Sequence, residues 1–148
     1  MASLTNVSWW RKINHMNSHV LVDCYGCPRE KLTNIDFIRE TLDTLPAKIN
    51  MTKVASPSVF KYEGRRVEDS GVSGVVLIAE SHISIHTFPD KGHAFIDIFS
   101  RKEFAVDQAL NELITIFGAT RHELKMLNVV SDLENQAPDL VGSPQIYH

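Results

Sequence analysis

Apolar side chains alternate through residues 18–25, where Val20, Val22 and Cys24 interleave with Leu21, Asp23 and Tyr25; a period of two predicts a strand. The spacing then changes. Leu32, Ile35, Ile38, Leu42 and Leu45 recur at three- and four-residue steps, and Thr33 with Asp36 has the form of a capping box. This predicts an amphipathic helix over roughly 34–45, ended by Pro46. A second extended region over about 48–60 leads into KYEGRRVEDSG, whose charges and two glycines read as an exposed loop. Val75 to Ala79 is an unbroken apolar run, as in a strand buried on both faces, and HISIHTF continues it in β-branched residues. Pro89, Asp90 and Gly92 supply a turn, after which Ala94, Ile96 and Ile98 alternate with Phe95, Asp97 and Phe99, predicting a hairpin with 83–88. Val106, Leu110, Leu113, Ile114 and Phe117 form a helical stripe ended by Gly118, and residues 122–130 read as a last strand.

The order strand, helix, several strands, helix, strand predicts an α+β fold of two layers, a mostly antiparallel sheet with helices on one face. The other face, if apolar, needs cover, which makes it a dimer surface. Residues 18–130 form the expected domain. Residues 1–17 and 131–148 are polar or aperiodic and read as tails.

Composition narrows the function classes. The formal charge is −3 and no Lys/Arg-rich block occurs, so the electrostatic footprint of a nucleic-acid partner is missing. No apolar run approaches the ~20 residues of a membrane span, and the N-terminus lacks the apolar core of a signal peptide. A cytoplasmic protein without a membrane partner is the expectation. The two cysteines, Cys24 and Cys27, form a lone C-x-x-C, read here as ordinary reduced thiols at a strand end because no second ligand pair for a structural zinc is present.

Chemistry concentrates in 71–89, GVSGVVLIAESHISIHTFP, where a strand-forming stretch carries many hydroxyls and imidazoles. Composition alone reads Ser81, Ser84 and the two histidines as the wetter side of a strand. No G-x-S-x-G elbow surrounds Ser81. No metal site is expected either, since His82 and His86 at i, i+4 converge on a helix and this segment reads as strand.

The run GVSGVVLIAESHISIHTFPD resembles the processing-site segment of the bacterial and archaeal S-adenosylmethionine decarboxylase proenzymes, marked there by G-V-S-G, E-S-H and I-H-T-[WF]-P. The resemblance extends less strictly to HVLVDCYGC and FIDIFSRKEF and covers about 18–130. It implies that the Ser81 hydroxyl attacks the Glu80 carbonyl, turning the peptide into an ester whose β-elimination and hydrolysis leave a pyruvoyl group, the cofactor, at position 81. It assigns supporting roles to Ser73 and His86, places Phe60 and Tyr62 where a ring stacks on the substrate adenine, and implies a homodimer of processed protomers. Ser81 and His86 stand an odd number of residues apart, so their convergence requires a bend near 80–82.

One position departs from the family pattern. Where the family carries F-[TS]-C, with the cysteine as proton donor, this chain has Phe99-Ser100-Arg101. An arginine has no proton to give at neutral pH. Ser100, His82, His86 and water stand as candidate donors. The resemblance implies decarboxylation of a small amino-acid-type substrate: S-adenosylmethionine first, for spermidine synthesis, or arginine or ornithine if Arg101 marks a changed pocket. A processing-incompetent regulatory paralogue is the reading from another class.

Overall fold

The computed structural model describes residues 17–129; the tails expected at 1–17 and 131–148 lie outside the described residues, except for Asn17, which begins the first strand. Strand β1 (Asn17–Tyr25) is followed by a single helical turn, α1 (Arg29–Leu32), and by α2 (Ile35–Lys48). Then come β2 (Ser58–Tyr62), β3 (Gly71–Ile78), β4 (Ser81–Phe88), β5 (His93–Ser100), α3 (Val106–Phe117) and β6 (Arg121–Val129). The six strands form one sheet in the order β2-β3-β4-β5-β1-β6, every neighbouring pair antiparallel. The α+β class and the helices on one sheet face agree with the periodicity.

The face under the helices is the core. Val20, Val22, Ile83, Ile85, Ile96 and Ile98 from the central strands meet Ile38, Leu42 and Leu45 of α2 and Leu113 and Phe117 of α3, all buried. Burying a Leu, Ile or Phe side chain is worth roughly 1.5–3 kcal/mol each, so this layer carries most of the stability. Glycines on either side of Ser73 allow close packing: a Cβ at Gly74 would lie 2.6 Å from Leu42 Cδ1, and one at Gly71 would lie 1.8 Å from the Thr87 carbonyl oxygen. The Thr87 hydroxyl, buried, accepts from the Val72 N–H at 2.9 Å and donates to the Leu32 carbonyl at 2.7 Å, tying α1 to the sheet.

Three local differences from the sequence reading have plain causes. Thr33 does not cap α2, because it closes α1, its hydroxyl donating to Arg29 O; the cap is Asn34, whose side chain accepts from the Phe37 N–H at 3.0 Å. Helix α2 runs past Pro46 to Lys48, since a proline in the last turn removes one bond while Ile49 N still reaches Leu45 O and Met51 N reaches Pro46 O. The extended region at 48–60 narrows to β2 plus one bridge, Lys53 with Ile78, because Asn50 turns left-handed (φ 59°) and Pro57 offers no N–H. Among the described residues no helix is long and apolar enough to cross a membrane.

Candidate active site

The β3–β4 hairpin turns on two residues, Ala79 and Glu80, with Ile78 and Ser81 already paired across it. The loop after α2 holds the turn, Ala79 N donating to Thr52 O at 2.8 Å and Val54 N to Leu77 O at 2.9 Å. Glu80 adopts φ 67°, one of only two non-glycine residues in the left-handed region among those described. Such a residue costs on the order of 1–2 kcal/mol relative to a right-handed conformation. Ser81 follows directly. Its hydroxyl lies against the Glu80 carbonyl oxygen, and it accepts the backbone N–H of Arg101 at 3.0 Å.

Ser73 and His86 are the second centre. They are direct cross-strand partners, and the Ser73 hydroxyl meets His86 Nδ1 at 2.8 Å. Both point away from the helices. Phe60 is the next residue in the same cross-strand row and Tyr62 is on the same face, both exposed. A cavity of about 330 Å³ opens here, lined by Tyr62, Asp69, Gly71, Ser73, His86, Thr87 and Phe88.

These two centres do not converge within one chain. Strand β4 is regular from Ser81 onward, so the bend expected near 80–82 is confined to the turn itself. Ser81 shares the parity of Ile83 and Ile85, on the helix side, whereas His82, Ser84 and His86 face outward. Five strand steps lead from Ser81 to His86, roughly 17 Å at the usual rise. Arg101 stands at the Ser81 end, exposed, and touches Ser81 through its backbone. Ser100 is buried, its hydroxyl donating to Lys102 O at 2.7 Å and accepting from Lys102 N at 3.0 Å, which leaves it no free proton for a substrate.

The outward face carries more chemistry than the sequence reading singled out. Asp97 sits between His19 and His82, one oxygen bonded to His19 Nε2 and the other 3.5 Å from His82 Nε2, with the Phe99 ring between the two imidazoles. Farther along, Asp23 holds His93 Nε2 at 2.6 Å, and His93 stacks between Tyr25 and Phe88 at centroid distances of 4.8 and 5.4 Å. His19 and Asp97 lie far apart in sequence; only the β1–β5 register joins them. The C-x-x-C is reduced and buried. Burial pushes the Cys24 thiol up to about 12, with Cys27 and Asp23 adding to the effect, and burial raises Cys27 against an opposing hydrogen bond from Ala94 and the charge of Lys31. Thiols so held are poor nucleophiles at neutral pH.

A single antiparallel sheet backed by helices, with a serine at a left-handed hairpin corner and a serine–histidine pair on the open face, defines a small two-layer α+β protein. The S-adenosylmethionine decarboxylase family profile matches residues 18–128. An S-adenosylmethionine decarboxylase proenzyme from Thermococcus gammatolerans is 40% identical over 106 residues, spanning 68% of this chain and 70% of its own. One from Prochlorococcus marinus is 34% identical over 111 residues, spanning 74% and 84%. The crystal structure of the adenosylmethionine decarboxylase from Aquifex aeolicus superposes with a TM-score of 0.63 at 30% identity, over 78% of this chain and 92% of that one. The chain belongs to the S-adenosylmethionine decarboxylase family.

Proposed function

We propose that the chain is a proenzyme that cuts itself between Glu80 and Ser81 and then decarboxylates S-adenosylmethionine, in the cytoplasm, for spermidine synthesis. The observation that carries this reading is the placement of the Ser81 hydroxyl against the carbonyl of a left-handed Glu80. The Arg101 N–H fixes that hydroxyl. Attack on the Glu80 carbonyl moves the acyl group from nitrogen to oxygen, and a backbone pinned by Thr52 and Leu77 keeps the turn from relaxing away. Residue 81 fits a pyruvoyl group, since it heads β4 at the hairpin turn and its side chain stands at the Arg101 N–H. That group supplies a carbonyl that holds the substrate amine and draws off electrons as CO₂ leaves.

Proton handling falls to Ser73 and His86. With Nδ1 engaged by Ser73, the imidazole presents Nε2 to solvent or to a ligand, the arrangement of a general acid–base. The gap of roughly 17 Å to Ser81 leads us to place the working site between two copies of the chain. Two open faces packed about a two-fold axis set one protomer's Ser73–His86 pair opposite the β3–β4 hairpin end of the partner subunit, where β4 begins at Ser81. Exposed Phe60, Tyr62, Val75, Leu77 and Leu127 on that face gain cover in such a dimer.

Intact mass tests the reading. Purified protein should separate into residues 1–80 and a chain of 68 residues (148 − 80) with a blocked N-terminus, while Ser81→Ala remains one chain. An uncut wild type after long incubation at neutral pH would defeat it.

A further inference from the structure

We propose that residues 52–54 form a positioning strap for the self-cleavage, locked to α2 through the Asp43–Lys53 pair, which holds the Glu80–Ser81 bond where the Ser81 hydroxyl attacks; this rests on the function proposed above. The hairpin alone does not favour that geometry. A two-residue loop that follows the right-handed twist of its strands has positive φ at both residues or at the first, whereas here only the second, Glu80, is positive. That pattern of signs belongs to a type II turn, which splays the strands it joins. The corner therefore needs holding from outside.

Two elements hold it. On the β5 side the Arg101 N–H meets the Ser81 hydroxyl. On the other side the strap makes a short antiparallel ladder with the end of β3: Val54 N donates to Leu77 O at 2.9 Å, Ala79 N donates to Thr52 O at 2.8 Å, and Lys53 faces Ile78. Ile78 faces Ser81 across the hairpin, so Lys53, Ile78 and Ser81 lie in one row. The strap is tied in turn to the helix layer. Lys53 Nζ donates to Asp43 Oδ1 on α2, and the chain reaches the strap directly from the end of that helix, where Met51 N donates to Pro46 O at 2.8 Å. The pair is half-exposed and contributes little to overall stability, yet it fixes the segment that holds the turn. Where the strap lets go, the turn relaxes toward its splayed form, and the cutting rate falls with the share of molecules still held.

The assay is the rate at which the two fragments appear by mass, with urea midpoints measured on the same substitutions in a Ser81→Ala background that cannot cut. Val54→Pro removes the N–H given to Leu77 O at an exposed position and should slow the cut about three- to tenfold. Asp43→Asn and Lys53→Met should each slow it about two- to fivefold, and together no more than either alone, since they remove one pair. Glu112→Gln is the control. It breaks a comparably exposed pair, Lys48–Glu112, between α2 and α3, and should lower the urea midpoint as much as Asp43→Asn while leaving the cutting rate unchanged. Should Val54→Pro fail to fold, the Asp43 and Lys53 variants decide. Wild-type speed in a folded Val54→Pro or Asp43→Asn chain, additive slowing in the double variant, or a Glu112→Gln chain slowed as much as Asp43→Asn overturns the assignment while the cut itself stands. An uncut wild type instead defeats the proposed function and this inference with it.

Discussion

Replacing Glu80 by glycine tests whether backbone strain drives the cut. The φ of 67° costs a residue with a side chain on the order of 1–2 kcal/mol, which glycine does not incur. If the transition state for attack by Ser81 releases that strain, removing it raises the barrier by the same amount. At a factor of ten per ~1.4 kcal/mol the cut then slows about five- to thirtyfold. In a Ser81→Ala background, which cannot cut, the same substitution should leave stability within about 1 kcal/mol and on the favourable side. The relief of strain outweighs the roughly 0.4–1 kcal/mol that a flexible glycine adds to the unfolded chain. The assay is the rate at which the two fragments appear by mass after refolding, with hydroxylamine to trap the ester. Glu80→Asn, which tolerates the left-handed region, should fall between wild type and glycine. Wild-type speed in Glu80→Gly refutes the strain argument, and slowing beyond about a hundredfold means that glycine has misplaced the carbonyl rather than relaxed it.

Three further outcomes follow. Co-expressed Ser81→Ala and His86→Ala chains should restore cutting of the His86→Ala chain, because a mixed dimer joins an intact Ser81 to an intact Ser73–His86 pair; a site built within one chain predicts no rescue in native mass spectra. With Arg101 where the family resemblance implies a cysteine, turnover should convert the group at position 81 to alanine at a measurable rate, and Arg101→Cys should suppress that mass change while raising decarboxylation. Cys24 should resist alkylation in the native state at neutral pH. Its folded pKa, pushed up to about 12 from an ordinary 9.0, means the unfolded thiol ionises first. Stability from this group is therefore complete below pH 9 and declines between pH 9 and 12, a decline that Cys24→Ala should flatten in denaturant titrations.

Both long helices and five of the six strands were legible because each buries one face, and burial writes a period of two or 3.6 into the sequence. Strand β2 was not. Of its residues only Val59 is partly buried, so it carries no alternation to read, and pairing with β3 alone defines it. The candidate site divides the same way. Ser73, Glu80, Ser81 and His86 were singled out through a contiguous motif; Ser81 and His86 lie on opposite sides of β4, as odd spacing requires of a regular strand, and no bend beyond the turn brings them together within one chain. The relation of His19 to Asp97, and of Asp69 to the cavity, depends on strand register and on the path of a loop, which no local pattern encodes.

The strand order has a consequence for the protein once cut. Residues up to 80 contribute β1, β2 and β3, and residues from 81 contribute β4, β5 and β6, so the sheet reads first, first, second, second, first, second in fragment origin. Strand β1 of the first piece is wedged between β5 and β6 of the second, by seven paired residues on one side and nine on the other. Severing the backbone therefore separates nothing: the halves are interlaced like folded hands, and neither can leave without dismantling three ladders at once. The break consumes a peptide bond where the sheet least depends on chain continuity, and the product should melt as one body whose transition shifts with concentration, as befits two chains sharing one core.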